Sequence, residues 1–226
     1  MKPSLLFTSC LIASMSHAWA DSAQFSGEFD QLEARSQGLL LWDGELFFGN
    51  ASNRALVLKT AAELPNRLLG SHELQLLVQT ALNNRWQVRA GVRMDTYPDP
   101  TRSWGVVSFT GENALGTALE ITGFAHGENQ SLLLGAEHVF QLKPRLELIP
   151  KAEVVFNSHD DVATSVGAGL STLELGARLR YHYTAAVKPY VGINWITSYG
   201  NSRDLLNAEG ARAQNFTLRA GFSWAF

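Results

Sequence analysis

"QNFTLRAGFSWAF", Gln214 to Phe226, is the stretch on which the fold turns. Taken alternately, Phe216, Leu218, Ala220, Phe222, Trp224 and Phe226 fall on one side. Asn215, Thr217, Arg219, Gly221, Ser223 and Ala225 fall on the other. A period of two is a β-strand with one apolar and one polar face. An apolar face that finishes in three aromatic residues needs something to cover it.

The first twenty residues narrow what that cover is. Lys2 gives a positive start, "LLFTSCLIASM" is a short apolar run, and Ala18-Trp19-Ala20 offers small residues for cleavage. Residues 1–20 read as a secretory signal peptide, too short to span a membrane as a helix. The mature domain is then 21–226. Cleavage removes Cys10, the 1 cysteine, so neither disulfides nor thiolates are expected to matter. It also removes Lys2, leaving 17 basic against 21 acidic residues and a formal charge of −4. No basic stripe points to nucleic acid. Mean hydropathy near zero excludes a helical membrane protein. It is compatible with an outer-membrane barrel, where alternate residues face a polar lumen.

Alternation recurs along the chain. Leu74, Leu76 and Val78 oppose Glu73, Gln75 and Gln79; Val88, Ala90, Val92 and Met94 oppose Gln87, Arg89, Arg93 and Asp95. Leu173, Leu175, Ala177, Leu179 and Tyr181 oppose Glu174, Arg178, Arg180 and His182. The pattern predicts twelve strands, near 25–34, 39–48, 53–64, 71–83, 85–96, 103–112, 115–126, 131–142, 145–157, 168–184, 188–199 and 214–226. Tight turns at Asn83-Asn84, Asn113-Ala114, Lys143-Pro144 and Ala185 to Val187 alternate with longer connections. Those connections are Pro65 to Gly70, Tyr97 to Arg102, Ser158 to Gly167 and Gly200 to Ala213. The fold class is therefore all-β, an antiparallel transmembrane β-barrel of twelve strands. Both termini fall on the short-turn rim, which is periplasmic in bacterial outer-membrane barrels. The lipid of that membrane covers the apolar face. The terminal phenylalanine resembles the signal read by the barrel assembly machinery.

Alternation sends Glu73, Arg89, Arg93, Asp95, Glu120, Glu137, Glu147, Lys151, Glu153, Glu174, Arg178, Arg180, His182 and Arg219 into the lumen. Acids and bases there are expected to pair and fill a narrow barrel. The alternative is a polar path lined by exchangeable carboxylates. His126 beside Glu120, His159 beside Asp160 and Asp161, and His72 are expected near the extracellular rim, with His182 at the periplasmic end. Imidazole with carboxylate suits a divalent transition metal, so His126, His159, His182, His72, Asp160 and Glu120 are the candidate ligands. His138 is expected to face lipid. A lipid hydrolase would need a serine such as Ser171 within reach of a base such as His138 or His126, and no motif joins them.

Several segments resemble the copper resistance protein B family: "SNRALVLKT" with Asn53, Arg54, Lys59 and Thr60, "AGVRMD" at Ala90, and "PRLELIP" at Pro144. So do "GLSTLELGARLRYHY" at Gly169, "KPYVGINW" at Lys188 and the closing "LRAGFSWAF". They stand in the family's order from Leu39 to Phe226. The resemblance implies a non-enzymatic barrel in the Gram-negative outer membrane that binds or passes copper, with a periplasmic copper-binding protein as partner. Its competitor is a small channel or structural barrel of other specificity. Members typically carry a Met- and His-rich segment before the barrel, for which only Asp21 to Gln24 stand here. Met94 is the one methionine after cleavage, so imidazole and carboxylate, suited to Cu(II), are the ligands expected.

Overall fold

Alternation resolves into a closed antiparallel barrel in the computed structural model, which describes residues 24–50, 54–65, 70–97 and 100–226. The segment 1–20 expected to be a signal peptide, with its expected cleavage point and Cys10, and Asn53 lie outside the described residues. The strands are β1 (Gln24–Arg35), β2 (Leu39–Asn50), β3 (Arg54–Pro65), β4 (Ser71–Ala81), β5 (Trp86–Tyr97) and β6 (Arg102–Glu112). They continue as β7 (Thr117–His126), β8 (Asn129–His138), β9 (Phe140–Lys143), β10 (Leu146–Asn157), β11 (Gly169–Tyr181), β12 (Val187–Ser198) and β13 (Gln214–Ala225). Lys151 pairs Glu137 and Leu148 pairs Phe140 in one register, so β8 and β9 are a single stave broken at Val139. The barrel thus has the twelve staves expected, each beside its neighbour in sequence, with β13 returning to β1. The connection expected at 200–213 instead carries a helix, α1 (Gly200–Ala208).

Local chemistry sets the turns. Asn83 Oδ1 accepts the N–H groups of Arg85 and Trp86 at 2.9 and 3.0 Å. Asn113 Oδ1 does the same for Leu115 and Thr117 at 2.9 and 3.0 Å. Each asparagine side chain thereby reinforces a reversal that its own backbone N–H also closes, Asn83 to Trp86 O at 3.2 Å and Asn113 to Thr117 O at 3.0 Å. These turns share a rim with Gln24 and Ala225. The opposite rim carries the two longest connections, 158–168 and 199–213, and also the tight turn at 127–128 between β7 and β8.

The seam explains the aromatic strand end. Gly27 N–H donates to Phe226 O and Phe226 N–H to Gly27 O, both at 2.9 Å. Phe29 stacks on Trp224 at 6.1 Å, and Trp224 meets Phe226 at 4.7 Å. The Phe226 ring lies against Gly27, where a Cβ would approach its Cζ to 2.4 Å. Gly27 is the residue that lets the ring cover the seam.

The barrel is polar inside and apolar outside. Leu218, Val92 and Val78 are more than half exposed, at 59%, 56% and 55%, while Arg178 is 1% and Glu153 2% exposed. Lipid covers the first set; ionic pairing must satisfy the second. Arg178 donates from Nη1 to Asp30 Oδ2 at 2.8 Å and from Nη2 to Glu137 Oε2 at 2.9 Å. Its guanidinium also lies 5.4 Å over the Tyr190 ring. The Tyr190 hydroxyl donates to Glu33 Oε2 at 2.9 Å, and Glu33 also binds Arg35. Arg180 reaches Glu147 Oε2 at 2.9 Å. One hub ties β1, β8, β11 and β12 across the lumen.

Two outcomes follow. Replacing Phe226 with Asp removes the aromatic cover and places a charge at the interface, so less heat-modifiable barrel should reach the membrane; normal amounts would contradict the seam's role. Arg178→Leu strands Asp30 and Glu137 without their cation and should cost about 3 kcal/mol or more in urea unfolding in micelles. A near-neutral change would mean that bulk water already solvates these carboxylates.

Candidate functional site

The lumen holds a second ionic cluster on the opposite wall. Glu45 Oε1 receives Lys59 Nζ at 3.2 Å and Arg89 Nη1 at 3.0 Å, while Arg89 Nε donates to Gln79 Oε1 at 2.8 Å. Arg93 binds Glu73 Oε2 at 3.0 Å and Asp95 Oδ1 at 2.6 Å, and lies 5.0 Å over the Phe124 ring. Trp104 Nε1 donates to Asp95 Oδ2 at 2.8 Å. Between the clusters an apolar group, including Val57, Leu77, Val106, Leu133 and Val155, projects into the lumen. A small void remains beside Glu120, Thr122, Ser108 and Arg93, with room for roughly one water. The arrangement is a packed polar interior, in which charges are held by neighbours on other strands.

Plain alternation misses part of this interior for a physical reason. The register of β1 slips between Phe29 and Leu32 against β13, and between Phe29 and Gln31 against β2. A bulge supplies one extra residue, so the inward parity changes across it. Asp30 and Gln31 are both buried, and Glu33 faces the lumen after them. Asp30, Glu33 and Arg35 were therefore not legible as lumen residues, although Asp30 is the main partner of Arg178; Glu45 and Lys59 face the lumen from the regularly paired β2 and β3.

The six candidate ligands stand in four places. His126 Nδ1 is 2.8 Å from Ser103 O, and its ring packs 5.3 Å from Trp104 at the loop rim. His159 Nδ1 is 2.8 Å from Ser158 Oγ. That hydroxyl accepts Gln130 N–H at 2.8 Å, which fastens the start of the long loop to the strand after the His126 turn. Asp160 accepts Ala168 N–H at 2.6 Å and the Asn201 amide at 3.1 Å. The Ala168 N–H, and then Asn201, hold its carboxyl below the usual aspartate range. These loop contacts are complete at neutral pH and are lost only as pH falls through that lowered value.

The remaining three are apart from the rim pair. Glu120 lies in the lumen and accepts the Thr122 hydroxyl at 2.7 Å. His182 Nε2 is 2.7 Å from Glu147 Oε1 near the turn rim. His72, expected with the loop-rim histidines, is on the opposite strand face to Glu73, where Thr96 Oγ1 at 2.7 Å and Thr60 Oγ1 at 3.3 Å hold its ring beside Trp42. A lumen-facing Glu73 forces its neighbour outward. Among the described residues, no three His, Cys, Asp or Glu side chains gather as ligands of a single ion. His138 bonds Thr117 Oγ1 at 3.0 Å and packs on Phe140, while Ser171 Oγ bonds Ser202 Oγ at 2.7 Å. The serine and the imidazole that a hydrolase would need are each engaged elsewhere.

Comparison with known proteins gives the lineage. A family model described as copper resistance protein B precursor matches residues 24–226. Copper resistance protein B of Escherichia coli is 37% identical over 210 residues, 91% of this chain and 71% of that protein. A copper resistance protein B homolog of Pseudomonas syringae pv. tomato is 34% identical over 179 residues, and the match spans 77% of this chain and 60% of that protein. A solved NanC porin superposes with a TM-score of 0.58 at 12% identity, over 89% of this chain and 99% of that one. A KdgM porin does so with 0.52 at 14% identity, again over 89% and 99%. At those identities the porins share the barrel fold alone. The match over nearly all the described residues, with two relatives above 30% identity, carries more: the chain belongs to the copper resistance protein B family.

Proposed function

We propose that this protein is a non-enzymatic barrel of the Gram-negative outer membrane that binds or passes copper ions and thereby contributes to copper tolerance. Family membership is the observation that carries the reading. The short-turn rim, with both termini, faces the periplasm and the long loops face outward. Copper reaching the loop rim meets His126 and His159, which sit on adjoining connections fastened through Ser158 and Gln130. His182 with Glu147 marks the periplasmic exit. Neutral imidazole is a good Cu(II) ligand, and carboxylates in the lumen supply a polar route between the two rims. A periplasmic copper-binding protein is the natural partner at the exit, and the barrel assembly machinery and outer-membrane lipid are the partners of biogenesis.

A channel of other specificity is the competing reading, favoured by the porin-like fold and by the absence of a gathered metal site among the described residues. Copper content separates the two. Cells with and without the protein should differ in accumulated copper under copper challenge; identical content would favour the general channel. At the level of residues, a His126→Ala, His159→Ala double variant should fold normally and lose most of its Cu(II) affinity by calorimetry at about pH 7.5, where imidazole is neutral. His138→Ala, on the outer face, should change nothing. Equal affinity in the double variant and the parent would remove the loop-rim site.

A further inference from the structure

The loop rim carries a segment that reaches from one wall of the barrel to the other. Arg102, Trp104, Val106 and Ser108 share the inward face of β6, so the Arg102 side chain projects over the mouth. Its Nη2 lies 3.2 Å from Asp161 Oδ2, in the connection between β10 and β11. On the far side Asn201 Nδ2 donates to Asp160 Oδ1 at 3.1 Å, and Gly167 N–H donates to Ser202 Oγ at 2.7 Å. Those two partners belong to α1, which follows β12. Between β6 and β12 stand β7, the β8–β9 stave, β10 and β11, so the two anchors are nearly opposite in a barrel of twelve staves. Segment 158–168 therefore spans the opening.

Helix α1 lies in the mouth as well. The β10–β11 register shifts between Val155 and Phe156, which sets Ser171 and Thr172 together opposite the inward Val155. The Ser171 hydroxyl is 2.7 Å from that of Ser202 in α1, and both serines are buried. Thr172, beside them, is 7% exposed. The ends of this assembly have room to turn: Gly169 follows the segment with φ 84°, and Gly210 follows α1 with φ 71°, values that a side chain disfavours. The two ties differ in kind. The α1 side includes a buried hydrogen bond, Gly167 to Ser202. The β6 tie is an ion pair at the solvent edge, with 11% and 22% of its side chains exposed. An ion pair so placed holds weakly and parts first.

We propose that segment 158–168 and α1 together form a lid over the loop-rim mouth, hinged on the wall from β10 to β13 and latched to β6 by the Arg102–Asp161 pair. With the pair made, the lid covers Thr172 and the inward residues below it. With the pair broken, the lid turns about Gly169 and Gly210, its start kept on the wall by the Ser158–Gln130 bond, and admits solute from the loop side. Asp161 also closes its own turn: Oδ1 accepts Ala163 N–H at 3.1 Å, and its backbone bridges Val166. The latch residue thus has a fixed place on the lid. The inference goes beyond the copper reading and is the same for any solute that passes.

The test reads access to the covered wall. The full-length protein with Cys10→Ser and Thr172→Cys is refolded in micelles, checked by heat modifiability and exposed to N-ethylmaleimide, a neutral probe. Arg102→Gln and Asp161→Asn should each label about fivefold faster or more than the latched parent. Asp161→Asn keeps an oxygen to accept Ala163 N–H, so its turn survives. The double variant should label no faster than either single one, because each breaks the same bond. Asp204→Asn, which neutralises an exposed acid of α1, should label as the parent does. Unchanged labelling in both single variants, effects that multiply in the double variant, or equal acceleration by Asp204→Asn would each overturn the latch. Where Thr172→Cys fails to fold, spin labels at Ser103→Cys and Asp204→Cys, both exposed, decide instead. Arg102→Gln should add a longer-distance population between them, and a distance distribution identical to the parent's would overturn the lid.

Discussion

Hydrocarbon offers a peptide group no hydrogen bond, and the rest of this structure follows from that. Every strand must find partners on both sides, so the sheet closes and the last strand returns to the first. Closure fixes two faces at once. The outer face must be apolar along each strand, and the polar residues of the same strands have nowhere to go but the lumen. Phe29, Trp224 and Phe226 gather at the seam because closure places the two strand ends side by side at a membrane boundary.

The interior then faces a problem opposite to that of a soluble protein. Many of its buried groups are ionisable, and a charge with no partner in such a place is far costlier than a missing methyl group. The barrel meets this with pairs that cross strands distant in sequence, such as Arg178 with Asp30 and Glu137, or Arg89 with Glu45. Those pairs act as tertiary contacts, fixing which walls face each other. They also link stability to the proposed function, because any ion moving through the lumen would have to exchange with groups that hold the barrel together.

Fold and site were legible to different degrees. In β13 every inward residue from Thr217 to Ser223 followed from period two, because the strand is regular and its apolar residues are large. β1 was not legible in that way: its bulge carries Asp30 and Gln31 inward together, and no local signal marks the slip. The helix Gly200–Ala208 was hidden because it lies in a polar connection and owes its place to tertiary contacts such as Ser202 with Ser171 and Gly167. Among the candidate ligands, alternation located Glu120 and His126 correctly in the lumen register. It said nothing of distance, and His72 was grouped with the rim by height although its side chain belongs to the other face.

The copper resistance protein B family, the charged lumen and the imidazoles at both rims support the proposal that copper is the cargo. The most direct test is the copper held by liposomes carrying the folded protein, bound and entrapped together, against protein-free liposomes after incubation in external Cu(II). The account predicts an excess of about one copper per barrel or more. Copper equal to that of protein-free liposomes, with the barrel verified as folded, would contradict it.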